Sequence, residues 1–198
     1  ALGREFDAGH PGDFERRRAS RGPRDLAILV YTSGTTGRPK GAMHSHGGLV
    51  HSIRHANVIL PQDDSDERMC FLPLCHIAER LIGAYSAMYS GAVLNFVEHP
   101  ETGPENVREI APTIFFAVPR IWEKFYSAVM IGVKEAGAVQ RMLYAWASGV
   151  GQRVAERVLE RKPVPAGLKA QFVLARWLAL DNVRKLIGIH RARFLVTG

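Results

Sequence analysis

Residues 31–41 read Tyr-Thr-Ser-Gly-Thr-Thr-Gly-Arg-Pro-Lys-Gly (YTSGTTGRPKG), directly after the apolar run LAILVY at 26–31. A short apolar run of this kind predicts a strand buried on both faces. A helical pattern follows at 45–59. Glycines let backbone N–H groups approach an anion closely, and the Ser and Thr hydroxyls add donors. Lys40 adds a mobile positive charge suited to a phosphate. A strand, this loop and then a helix would make a triphosphate cradle. The loop is not the P-loop of NTPases, which needs Gly-x4-Gly-Lys-Ser/Thr. Here Arg38-Pro39 separates Gly37 from Lys40, and Gly41 stands where a Mg-binding hydroxyl would be.

Outward from the loop, strands and helices alternate. Strands are expected at 68–72, 92–97, 113–118 and 193–196. Helices are expected at 77–89, 104–110 and 168–187, and along 120–162 with weak points at Gly132, Gly137, Gly149 and Gly151. Residues 1–24 form an irregular or short helical lead-in. This is the pattern of an α/β fold, a largely parallel sheet with flanking helices. The expected division is a phosphate loop and α/β core over 25–120, a helical insertion over 121–192, and a strand at 193–198 leading to a further loop. The chain has no initiator Met, and its last strand runs out at Thr197-Gly198. Function gathers at the carboxyl ends of parallel strands, so residues 1–198 are expected to be a fragment of a larger enzyme.

Composition excludes several classes. The 198 residues carry a net charge of +7 with 46% hydrophobic residues, which is not the balance of a disordered tail. No run reaches the ~18–20 uninterrupted apolar residues of a transmembrane helix. The N-terminus has no apolar core and is no signal peptide. Residues 1–139 hold 15 basic and 16 acidic side chains, and 140–198 hold 11 and 3, so the positive excess sits in the last third. There Arg153 and Arg157 share a helical stripe near Trp146 and Trp177. Three readings stay open: a membrane-surface helix, a CoA-phosphate surface, or a solvated or covered face. Nothing beyond charge points to nucleic acid.

The loop string resembles the signature of the AMP-forming adenylate superfamily of acyl-CoA synthetases, luciferases and peptide-synthetase adenylation domains. Three further stretches resemble its long-chain fatty acyl-CoA synthetase branch, in family order: FLPLCHIAER at 71–80, APTIFFAVPRIWEKFY at 111–126 and RFLVTG at 193–198. The resemblance implies a two-step ligase. A fatty acid and ATP give acyl-AMP and pyrophosphate, then CoA gives acyl-CoA and AMP. It implies that Thr32, Ser33, Gly34, Thr35, Thr36, Gly37 and Lys40 hold the β- and γ-phosphates, with Thr32 also toward Mg²⁺. It assigns His76 a place by the α-phosphate and carboxylate, against the alternative of a histidine capping the next helix, and Gly198 a place on the acyl side. The motifs that such a ligase also needs would lie beyond Gly198, so the fragment alone is expected to be inactive. The alternatives are another acyl or aryl acid ligase and a non-catalytic nucleotide-binding or membrane-associated module. The expected compartment is the cytoplasm, with peripheral membrane contact as the variant.

Other signals point to structure. His44, His46, His51 and His55 lack a completing carboxylate or thiol. Cys70 and Cys75 read as buried thiols of a reducing compartment. Asp63, Asp64, Asp66 and Glu67 read as a solvated turn. Glu79 and Arg80 read as a structural pair. Tyr85, Met88 and Tyr89 read as core, or as the lining of an acyl channel.

Overall fold

The apolar run after Asp25 forms β1 (Leu26–Thr32) in the computed structural model, which describes residues 2–32 and 38–198, the side chains of Thr32 and Pro100 excepted. It is not the doubly buried strand its composition predicts. Leu29 is 49% exposed and Tyr31 68% exposed. The reason is its partner. β1 pairs antiparallel with β2 (Lys40–Ser45), and the two form a sheet of their own. The helical pattern begins one residue after its predicted start, as α3 (His46–Ile59). The expected order of strand, loop and helix is therefore corrected to strand, loop, strand and helix.

The chain divides into two compact units, Ala1–Asp63 with Leu72–Gly91, and Asp64–Phe71 with Ala92–Gly198. The first holds α1 (Leu2–Gly9), α2 (Asp13–Ala19), the hairpin, α3, a π-helical segment (Glu79–Tyr85) and α4 (Ser86–Ser90). The buried Asp13 carboxylate anchors α2, accepting from Arg16 and from Arg17 at 2.6 Å. Val30, Leu49, Ile53 and Ala87 are the buried apolar residues along β1, α3 and α4.

The second unit holds β3 (Glu67–Cys70), β4 (Val93–Phe96), α5 (Gly103–Ile110), β5 (Ile114–Ala117), α6 (Pro119–Glu135), α7 (Ala138–Leu159) and α8 (Ala166–Ala175). A π-helical turn (Arg176–Leu180), α9 (Asp181–Leu186) and β6 (Phe194–Thr197) complete it. Its four strands are all parallel, in the order β4-β3-β5-β6. The α/β class with a parallel sheet and flanking helices is thus as predicted.

Phe115 of β5 sits at the centre of the aromatic core. Its ring lies 6.0 Å from Phe71, 5.5 Å edge-on from Trp122 and 6.0 Å from Phe125. Such offset and edge-on geometries suit the ring quadrupoles. The Trp122 indole N–H donates to the Ala117 carbonyl at 3.2 Å. A second core joins the helices, where Ala147, Val150 and Ala175 are fully buried against Phe172 and Leu180.

The helical stretch expected over 120–162 breaks once, between α6 and α7. The Gln140 side chain accepts from the Gly137 N–H at 3.0 Å and caps the new helix start. Gly132, Gly149 and Gly151 stay within helices. After α9, Gly188 takes φ +81°, and a Cβ there would come within 2.6 Å of Arg108 Cα. Only glycine allows both that backbone and that approach to α5.

The amino ends of the parallel strands share one polar network. Asp66, 1% exposed, accepts from Arg193 at 2.6 and 3.3 Å and from the Thr113 hydroxyl at 2.6 Å. That hydroxyl in turn accepts from the Glu67 N–H at 2.9 Å. Glu67 accepts from Asn95 at 3.1 Å and from Arg191 at 2.9 Å. The solvated turn expected for this acidic cluster is corrected at both residues.

Candidate functional site

The hairpin brings the two ends of the Gly-rich stretch together. In its register Thr32 pairs with Lys40, Tyr31 with Gly41 and Val30 with Ala42. Paired residues on antiparallel strands lie about 4.5–5.5 Å apart. The backbones of the two residues that bracket the loop are therefore held side by side. Lys40 is exposed, and its ammonium makes no ion pair with a described residue. Ser33, Gly34, Thr35, Thr36 and Gly37 lie outside the described residues, and Thr32 is described by its backbone alone.

The start of α3 is not a free anion site. Ser45 caps it by accepting from the Gly48 N–H at 3.2 Å. The His46 N–H donates to the Asp25 carbonyl at 3.1 Å, and the Gly47 N–H to the Pro23 carbonyl at 2.7 Å. The first donors of a helix bind phosphate only when they are unsatisfied. The helix N-terminus therefore offers these donors to no phosphate, and what brackets the Gly-rich stretch is the paired backbone of Thr32 and Lys40.

His76 follows β3, on a segment at 72–78 that is fastened at several backbone points. The His76 N–H donates to the Pro73 carbonyl at 2.8 Å, and the His76 carbonyl accepts from the Arg80 N–H at 3.1 Å. The structural pair expected of Glu79 and Arg80 is corrected, since each side chain binds backbone instead. The Glu79 carboxylate accepts from the Leu72 N–H at 3.1 Å, and the Arg80 guanidinium donates to the Leu74 carbonyl at 2.6 Å. His76 directly precedes the helical turn that begins at Ile77, and its side chain is exposed. The π-helical segment takes Ala78 as its N-cap, with no side-chain bond.

Gly198 follows β6 in the second unit, beside β5, and a Cβ there would meet the Phe116 ring at 3.4 Å. Met88 and Tyr89 are exposed and Tyr85 is half-buried, so Met88 and Tyr89 are not core. Cys70 is buried, but Cys75 is exposed, contrary to the reading of two buried thiols. Among the described residues no three His, Cys, Asp or Glu side chains gather as a metal set. His51 and His55 do share a helical face, with their rings 4.0 Å apart.

Two arginines of the basic last third fasten local structure. Arg153 donates to Gln171 of α8 at 3.4 Å, and Arg157 to the Pro163 carbonyl at 3.5 Å. Trp177 is largely exposed. Among the described residues no helix is long and apolar enough to cross a membrane.

Comparison with known proteins shows the family. A family model described as AMP-binding enzyme matches residues 4–168. A protein of Mycobacterium tuberculosis that carries a fatty-acid–CoA ligase name, fadD11, is 32% identical over 94% of this chain and 33% of its own length. The long-chain-fatty-acid–CoA ligase ACSBG2 of Gallus gallus is 33% identical over 90% of this chain and 24% of its own. The chain thus spans a quarter to a third of the length of these curated relatives. A solved malonyl-CoA ligase, in a ternary product complex with methylmalonyl-CoA and AMP bound, shares the fold at TM-score 0.53 and 23% identity. That match covers 57% of this chain and 25% of the other.

Proposed function

The chain belongs to the family of AMP-binding enzymes, and from that premise we propose that it is the phosphate-handling part of an AMP-forming acyl-CoA ligase whose acid is a long-chain fatty acid. The observation that carries the reading is the Thr32–Lys40 pairing, which brings both ends of the hydroxyl- and glycine-rich stretch together beside an exposed ammonium. The long-chain assignment is supported by the 71–80 and 111–126 strings and by the names of the relatives at about a third identity.

The proposed reaction needs charge and position more than covalent chemistry. A carboxylate oxygen of the fatty acid attacks the α-phosphorus of ATP, and the bond to the bridging oxygen of the β-phosphate breaks. Pyrophosphate leaves with that electron pair, and acyl-AMP remains. The CoA sulfur, its proton lost, then attacks the acyl carbon, and AMP leaves. Donors on the loop, Thr32, Ser33, Thr35 and Thr36 with the backbone of Gly34 and Gly37, hold the β- and γ-phosphates. Lys40 neutralises charge as pyrophosphate forms. His76 orients the α-phosphate and the carboxylate, and Gly198 leaves room for the acyl group. Thr32 is the hydroxyl that would help hold Mg²⁺, a hard cation that would supply neutralisation of phosphate charge. Activity is assigned to the ligase that carries this chain, and residues 1–198 alone are expected to be inactive.

The test is Lys40→Ala in that ligase. A charged hydrogen bond of about 1.5–3 kcal/mol corresponds to roughly a 10- to 150-fold loss of carboxylate-dependent ATP–pyrophosphate exchange. Unchanged exchange overturns the loop assignment. CoA-ester formation across fatty acids of rising chain length tests the acid, and a preference for short or aryl acids overturns the long-chain part.

A further inference from the structure

We infer that Glu79, Arg80 and Gly83 are positioning residues that set the backbone on which His76 is presented. The inference rests on the role proposed above for His76 and adds the side chains through which that residue is placed.

Residues 72–76 make no strand or helix of their own before the helical turn that begins at Ile77, yet the backbone around them is held at four points. Glu79 takes the Leu72 N–H and the Arg80 guanidinium takes the Leu74 carbonyl. The other two bonds are the His76 N–H to Pro73 and the Arg80 N–H to the His76 carbonyl. Both flanks of His76 are thereby fixed, while its imidazole stays exposed. A carboxylate is a costly way to bind one backbone N–H, because burial strips its water. Glu79 is nevertheless only 4% exposed. It makes no ion pair with a described residue, so the segment is what its burial secures.

The carboxylate fits because of the turn beneath it. Glu79–Tyr85 is π-helical, a form common at functional sites. The residue four positions on is Gly83, where any Cβ would overlap Glu79 Oε1 and lie 3.2 Å from its Cδ. Glycine there leaves the carboxylate its place. Glu79, Gly83 and Arg80 therefore act as one clamp on the segment carrying His76.

The test uses the ligase that carries this chain. Misplacing a reacting group by about 1 Å costs up to about 100-fold. Glu79→Ala and Gly83→Ala are therefore each expected to lower kcat for acyl-adenylate formation by about 10- to 100-fold, with the KM for ATP changed less than about 3-fold. Glu79→Gln keeps an acceptor for the Leu72 N–H and should recover most of that loss. The double variant His76→Ala/Glu79→Ala should be no slower than His76→Ala, because Glu79 acts through His76.

Hydrogen exchange judges the clamp without activity. The peptide covering 72–78 should exchange at least about 10-fold faster in Glu79→Ala and Gly83→Ala, and at the parental rate in Glu79→Gln. Unchanged exchange in both alanine variants overturns the inference, and so do losses that multiply in the double variant. If His76→Ala adenylates at the parental rate, the role proposed for His76 fails, and the exchange result still decides the clamp by itself.

Discussion

Replacing Arg193 by Ala should destabilise the second unit far more than replacing Arg191, although both arginines bind the same acidic pair. The difference lies in what each removal leaves behind. Arg193 is 47% exposed, but its partner Asp66 is 1% exposed. Without Arg193, Asp66 is a buried carboxylate that has lost the guanidinium contacts at 2.6 and 3.3 Å. Breaking a buried pair from one side costs about 3–5 kcal/mol. Exposure of the guanidinium screens part of that and brings the figure to about 2–3 kcal/mol. The guanidinium also lies 5.3 Å over the Phe194 ring, a contact worth about 0.5 kcal/mol.

Arg191 and Glu67 are 47% and 27% exposed, so their pair is worth about 0–1 kcal/mol. All three tryptophans, Trp122, Trp146 and Trp177, lie in the second unit, so fluorescence during urea unfolding reports on it. With a slope near 2 kcal/mol per M, Arg193→Ala should lower the midpoint by about 1 M, and Arg191→Ala by less than about 0.5 M. Asp66→Asn removes the charge, so the double variant Asp66→Asn/Arg193→Ala should be no less stable than Arg193→Ala alone. Equal midpoint shifts for the two arginine variants, or additive losses in the double variant, would refute the buried-carboxylate reasoning.

Gly188→Ala combines a left-handed backbone with overlap against the α5 backbone, so it should cost about 2–4 kcal/mol and lower the same urea midpoint. A midpoint within 0.3 M of the parent, roughly the extrapolation error, contradicts that packing. Cys75 is exposed and Cys70 buried. Brief alkylation of the folded chain should therefore label Cys75 alone by peptide mass, and comparable labelling of Cys70 contradicts the burial.

The elements legible in the sequence are those with local causes. The α3 helix declared itself through the helical pattern at 45–59, and β5 through its apolar composition. What was hidden depended on distant partners. β2 is short, exposed and holds Gly41, and it is a strand because β1 pairs with it. β1 misled for the same reason, since an apolar run does not reveal whether one or two neighbours cover it. Asp66 looks like its acidic neighbours, and the arginine that distinguishes it lies 127 residues away. Of the residues proposed for the site, Lys40 and His76 stand in motifs that the sequence displays. The Glu79 clamp does not, because its acceptor role depends on a π-helical turn and on Gly83, and neither has a sequence period.

The hidden residues divide by function. Asp66, Thr113 and Arg193 join the amino ends of parallel strands, whereas ligands of such sheets gather at the carboxyl ends. Along the chain Asp66 precedes β3, and the segment proposed to present His76 follows it. A charge fixed by a buried partner is not available to a substrate, and an exposed side chain on a clamped backbone is. The two sets of variants should therefore separate. Arg193→Ala should shift the urea midpoint while leaving the kcat for adenylation near the parental value. Glu79→Gln should leave both near parental, and Glu79→Ala should lower kcat by more than its midpoint shift explains. If Arg193→Ala and Glu79→Ala instead lose kcat and stability in the same proportion, the two ends of β3 work as one unit and the division fails.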